Sequence, residues 1–136
     1  MQKIIVEDGL FVEFFPSELK NIVCTRLNIW KDEKYLGCIT IRPPYSLIDP
    51  GYQTLEIGYG LNEEYRGRGI MTKVVKAVCS FIFEKRTDID KIVASTREQN
   101  IASRRVLEKS GFVRHSGLKT NGLADFAFVL FNPKGP

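Results

Sequence analysis

Arg66-Gly67-Arg68-Gly69 sets two glycines between two arginines, directly ahead of an apolar run that begins at Ile70. Glycine is poor helix material, yet a helical pattern opens here. Two uses suit these residues: a flexible connection, or a cradle for an anion. Without side chains at 67 and 69, backbone N–H groups can converge on an anion at close range. A helix that starts just after them adds unpaired donors and the favourable end of its dipole. Arg66 and Arg68 add fixed positive charge suited to phosphate oxygens. No Gly-Lys-Ser/Thr closes the motif as in a Walker loop, and it does not read GxGxxG. A bare RGRG also occurs in disordered and nucleic-acid-binding tails. A position between a strand and an amphipathic helix favours the phosphate cradle.

Groups for proton chemistry are few. Glu56 stands opposite the apolar set Leu55, Ile57, Tyr59 and Leu61, which suits a general base. A solvated strand glutamate accounts for it equally well. Tyr59 is a rival base, and Ser103 is a hydroxyl one turn into a helical segment, where a bond to local backbone is its commoner use. His115, the only histidine, reads as a strand-edge residue. That excludes a Ser-His-Asp triad built on any other histidine. Cys24, Cys38 and Cys79 are widely spaced, with no CxxC or Cys/His ligand pattern. No metal site is expected, and the cysteines read as small buried residues in a reducing compartment.

The elements that must position these groups follow from periodicity. Strands are expected over Lys3–Glu7 and Leu10–Phe15, flanking the Asp8-Gly9 turn, then over Leu19–Trp30 and Tyr35–Arg42 on either side of a charged turn at residues 31–34. Pro43-Pro44 ends the fourth run, and 45–51 reads as a loop. Gln53–Leu61 is a further strand in which Gly58 and Gly60 suggest a bulge or a close backbone approach. Ile70 to about Arg86 has helical spacing, Lys91–Ser95 is a short strand, and Ile101–Lys109 is an amphipathic helix with Ala102, Val106 and Leu107 inward. Gly111 stops that helix. Phe112–His115 and Leu123–Phe131 close the chain as strands. The order predicts an α/β (α+β mixed) fold: a central, mixed, largely antiparallel sheet with a parallel βαβ core and helices packed on it. Ligands in such sheets favour strand carboxyl ends at a switch point, where the glycine turn lies.

With 136 residues, 43% of them hydrophobic, the chain fits one domain spanning 1–136. Its net charge of +4 is scattered rather than striped, which argues against nucleic acid and suits a polyanionic small molecule. No run reaches membrane-spanning length, and no signal peptide shows, so a cytoplasmic protein is expected.

Together "LEIGYGLNEEYRGRGIMT" and "NIASRRVLEKSGF" resemble the GNAT superfamily of acetyl-CoA-dependent N-acetyltransferases, and most of all the branch that acetylates protein N-termini, including those of ribosomal proteins. The resemblance covers about residues 53–131. It implies that acetyl-CoA is the cosubstrate, with its pyrophosphate held by the glycine turn at Arg66, Gly67, Arg68, Gly69, Ile70 and Met71. It places the pantetheine arm between the splayed ends of Gln53–Leu61 and Lys91–Ser95, in contact with Asn100. The implied partner is an amine acceptor, with a protein N-terminus among the candidates. No membrane or nucleic-acid partner is implied, and a homodimer is allowed.

Three departures from the family pattern stand out. Met71 replaces the usual small residue at the end of the glycine motif. Leu107 occupies the place of a tyrosine that serves many members as general acid. The helical pair that usually follows the first strand is missing, since residues 8–45 read as strands, so no acceptor pocket is implied. On this resemblance Glu56 would take the amine proton, backbone near Gly60 and Leu61 would donate to the developing oxyanion, and Ser103 could donate to the sulfur. Two other functions remain compatible with the residues: a coenzyme-A-binding module without turnover, and RNA binding through RGRG.

Overall fold

Asp8-Gly9 and Asp32-Glu33 are the two tight turns that begin the sheet. In the computed structural model, which describes residues 1–44, 53–115 and 126–134, β1 (Gln2–Glu7) pairs with β2 (Leu10–Phe14) across the first turn. β3 (Thr25–Lys31) pairs with β4 (Lys34–Arg42) across the second. Both turns need left-handed backbone, supplied by Gly9 at φ 76° and Asp32 at φ 54°.

The single strand expected over Leu19–Trp30 is corrected by the structure. Pro16–Lys20 forms a short helix, α1, and β3 starts only at Thr25. Pro16 sits in the first turn, where its fixed φ suits a helix and its missing N–H costs nothing. Leu19 is the buried anchor of α1, and Arg86 donates to its carbonyl at 2.7 Å. Phe15 accordingly leaves β2 to become the residue before the helix.

β5 (Thr54–Leu61) leads through a 3-10 turn at Glu63–Tyr65 into α2 (Ile70–Lys85), which returns to β6 (Lys91–Thr96). α3 (Ile101–Lys109), β7 (Val113–Arg114) and β8 (Phe126–Phe131) follow. Among the described residues eight strands form one sheet in the order β1-β2-β3-β4-β5-β6-β8-β7, with β5–β6 paired in parallel. This is the mixed, largely antiparallel sheet with a parallel βαβ core that the element order predicts. The expected strand Phe112–His115 is reduced to two residues. The loop 45–51 and residues 123–125 of the last expected strand lie outside the described residues.

α2 buries Met71, Val74, Val75, Val78, Cys79 and Ile82, which pack with Leu10, Val12, Ile39 and Ile57 in one core. Each fully buried aliphatic side chain contributes about 1.5–3 kcal/mol relative to exposure. α3 turns Leu107 fully inward, whereas Ala102, expected inward, is exposed. Its end is a Schellman motif: Phe112 N–H donates to the Leu107 carbonyl at 2.9 Å, Gly111 N–H donates to that of Glu108 at 3.1 Å, and Gly111 has φ 96°.

The two glycines of β5 produce no bulge, because β4 and β5 keep a regular register from Gly37↔Leu61 to Arg42↔Glu56. Gly58 permits a close approach instead, whereas a side chain on Gly60 would meet nothing within 4 Å among the described residues. A Cβ at Gly58 would lie 3.0 Å from Thr40 Oγ1, and the Gly60 carbonyl occupies the place a side chain on Gly37 would need.

Candidate active site

β5 and β6 pair only over Thr54–Glu56 and Lys91–Val93, although both strands run further. Beyond Glu56 and Val93 they separate, and a cleft of about 400 Å³ opens between them. Ile57, Gly58 and Tyr59 form one wall, Ala94 to Arg97 the other, and Asn100, Ser103 and Leu107 of α3 close it.

Backbone groups alternate sideways along β5. The Gln53 carbonyl accepts from Asp90 and Lys91 on the β6 side, while the Gly60 carbonyl lies against Gly37 on the β4 side. Odd-numbered residues therefore turn their peptide groups toward the gap. Leu61 and Tyr59 offer N–H donors there, and Gly60 does not.

Side chains alternate between faces in the same way. Tyr59 points to the helical face, where its Oη lies 2.9 Å from Ser103 Oγ and also donates to the Ser103 carbonyl at 3.2 Å. Ser103 thus spends its hydroxyl on a residue 44 positions away rather than on its own helix. Burial raises the Tyr59 pKa, the Ser103 bond opposes this and Cys79 adds to it, so the phenol stays protonated at neutral pH. Asn100 caps α3, its Oδ1 accepting from Ser103 N–H at 3.2 Å. Its amide NH₂ remains available to the cleft it lines. Leu107 is fully buried against the cleft.

Glu56 occupies the opposite face of β5. It is not a solvated strand residue: only 2% is exposed, and it ion-pairs with Arg42, its cross-strand partner. Burial raises its pKa, and Arg42 partly offsets the rise. Arg42 is the residue sequence reasoning missed, because only the register of β4 on β5 brings it to Glu56. Glu56 and the Tyr59–Ser103 couple therefore lie on opposite faces of β5, and Glu56, still in the paired part of the strand, does not line the cleft.

The glycine turn follows the carboxyl end of β5. Gly67 and Gly69 take φ 76° and 77°, and nothing lies within 4 Å of where their side chains would be. Gly69 precedes α2 without any side-chain cap, so the first amides, including those of Ile70 and Met71, have no side-chain acceptor. Met71 itself is buried in the core. Arg66 folds back, Nε donating to the Leu61 carbonyl at 3.0 Å, whereas Arg68 is exposed on the other flank. His115 is exposed at the end of β7 and does not line the cleft. Among the described residues no cluster of three potential metal ligands occurs, and no helix is long and apolar enough to cross a membrane.

The same fold occurs in a solved structure of a probable acetyltransferase, which superposes with a TM-score of 0.75 at 17% identity, covering 98% of this chain and 99% of that one. The family model described as the acetyltransferase (GNAT) domain matches residues 15–113, and the chain belongs to this family. It is 32% identical over 103 residues to a probable N-acetyltransferase (YjcK) of Bacillus subtilis, covering 73% of this chain and 55% of that protein. Against the ribosomal-protein-serine acetyltransferase of Escherichia coli it is 29% identical over 91 residues, covering 67% and 48%. The chain thus spans about half the length of these relatives. A RimL ribosomal L7/L12 alpha-N-protein acetyltransferase solved in complex with coenzyme A superposes with a TM-score of 0.73 at 17% identity, covering 96% of this chain and 98% of that one. At that identity the likeness concerns the fold.

Proposed function

We propose that this chain is an N-acetyltransferase that moves an acetyl group from acetyl-CoA to a primary amine by direct transfer, with a peptide N-terminus or a small-molecule amine as acceptor. The observation that carries this reading is the opening of β5 from β6 directly beside the uncapped glycine turn. The residues suit a coenzyme A. Gly67 to Met71 offer backbone donors to a pyrophosphate, the cleft accepts an extended arm, and the Asn100 amide meets polar atoms along it.

The chain's own groups then divide the chemistry by face. Glu56, raised in pKa by burial, takes the proton of the attacking amine directly or through water. The Leu61 or Tyr59 N–H donates to the oxygen that gains charge as the C–N bond forms, an effect typically worth about 10²–10³ in rate. As the C–S bond breaks, the Tyr59–Ser103 couple supplies a proton to the sulfur from the helical face. Tyr59 takes over the task that a tyrosine at Leu107 would perform.

A second reading, a coenzyme-binding module without turnover, is favoured by the buried Leu107. A screen of amine acceptors with acetyl-CoA, read by thiol release and by mass of the product, separates the two. Transfer to any amine supports the enzyme. Coenzyme binding without transfer across peptides, polyamines and aminoglycosides sinks it. The compartment expected from the composition is the cytoplasm.

A further inference from the structure

The helices α1, α2 and α3 pack their buried residues against one face of the sheet, that of Leu55 and Ile57. The opposite face carries no helix among the described residues. Across β3, β4 and β5 it presents Arg26, Thr40 and Gly58 in one row and Asn28, Cys38 and Gly60 in the next. The two glycines leave bare backbone beside the gap, with open space where a side chain on Gly60 would stand. Glu56 and Arg42 hold each other in the row behind Gly58. Arg26 is exposed, donates to Tyr35 Oη at 2.8 Å and reaches Cys38, the strand neighbour of Gly60. No carboxylate lies within ion-pair reach of its guanidinium among the described residues.

A single exposed arginine is ordinarily a solvated residue. The position of Arg26 gives it a use. α3 and the Tyr59–Ser103 couple close the helical face of the cleft, so an amine reaches the gap from the open face, the face of Glu56. A chain entering there passes over Gly58 and Gly60, where no side chain obstructs its backbone. Neighbouring strands lie about 4.8 Å apart, and an extended peptide advances about 3.3 Å per residue. One or two residues therefore carry a chain from an amine at the gap to the guanidinium beside Cys38. The Tyr35 hydroxyl orients that guanidinium without supplying a countercharge. We infer that the acceptor is a peptide N-terminus with an acidic side chain at its second or third residue, bound by Arg26. This inference rests on the N-acetyltransferase reading above and narrows its acceptor from amines in general to acidic peptides.

The test measures kcat/KM with acetyl-CoA for three peptides that share an N-terminal serine and carry aspartates, asparagines or arginines at residues two and three. Spermine and an aminoglycoside serve as acceptors that are not peptides. The parent is compared with Arg26→Ala and Arg26→Glu. Arg26 is exposed, so both variants keep their core, and their coenzyme A affinity by isothermal titration calorimetry checks that they are folded. The parent is expected to prefer the aspartate peptide to the asparagine peptide by about fivefold, the upper range of an exposed ion pair. That preference should shrink as salt is raised. Arg26→Ala should lose it, and Arg26→Glu should favour the arginine peptide. A parent that uses the aspartate and asparagine peptides equally, or transfers only to spermine or the aminoglycoside, overturns the inference and leaves the acetyltransferase reading standing. Folded variants that keep the preference for aspartate do the same. A parent that transfers to none of these amines overturns both.

Discussion

Tyr59 Oη lies 2.9 Å from Ser103 Oγ, so a hydroxyl from β5 meets one from α3 at the wall of the cleft where Leu107 offers no proton. The phenol stays protonated because burial raises its pKa, while the serine bond orients it. Tyr59→Phe should lower kcat by about a hundredfold, the lower end of general acid–base contributions. Ser103→Ala should cost less, and the double variant little more than Tyr59→Phe alone, since the two act as one unit. A double-mutant cycle on kcat, with coenzyme affinity measured alongside, checks this. Additive losses would separate the two hydroxyls.

On the proposed mechanism, the Glu56–Arg42 pair should set the pH dependence of activity. Burial raises the carboxyl pKa and Arg42 lowers it, with burial the larger effect. A base must be deprotonated, so activity should rise with pH through a limb placed above the ordinary carboxylate range. Glu56→Gln should remove that limb and lower kcat about tenfold or more. Arg42→Met deletes the opposing charge, so the limb should move to higher pH with coenzyme affinity unchanged. A limb that stays in place in both variants would transfer the role to water held by backbone.

Gly69→Asp tests the anion cradle. Aspartate tolerates the left-handed backbone that Gly69 adopts, and it suits a helix N-terminus, so the variant should fold. Its negative charge beside the amides of α2 should abolish coenzyme binding. Thermal shift reads the outcome: saturation of the parent at a hundredfold excess over Kd stabilises by about 2.7 kcal/mol, and the variant should show no shift. Adenosine diphosphate should shift the parent less than coenzyme A. Equal shifts would point to a nucleotide-binding protein.

The three thiols should differ in reactivity. Cys24 is exposed, Cys38 half-buried and Cys79 buried, with the Cys79 pKa pushed up to about 12 by burial. Because the thiolate is the reactive form, a disulfide dye should label Cys24 first and leave Cys79 untouched until the chain unfolds. Mass analysis of the labelled native protein checks this. Labelling of Cys79 at a rate similar to that of Cys24 would mean that the α2 core opens readily. Thiol-release assays on this protein carry the Cys24 signal as background.

Local rules were enough for much of the fold. Asp8-Gly9 implied a hairpin, the 3.6-residue spacing after Ile70 implied α2, and Gly111 implied the end of α3, because each depends on neighbours a few positions away. The glycine turn was legible for the same reason: an RGRG between a strand and a helix can be judged without knowing what surrounds it. α1 was not legible, since Ile22 and Val23 imitate a strand and only the docking of Leu19 and Arg86 reveals a helix before them. The pairing of Glu56 with Arg42 needed the register of β4 on β5, and the meeting of Tyr59 with Ser103 needed α3 to fold over the gap. Which peptide groups face that gap is likewise settled by where β6 leaves β5. Residue types announce which groups can carry protons or bind phosphate, because that chemistry is local. Which of them meet, and on which side of a strand, is decided by long-range pairing, because one step of register moves every side chain to the opposite face.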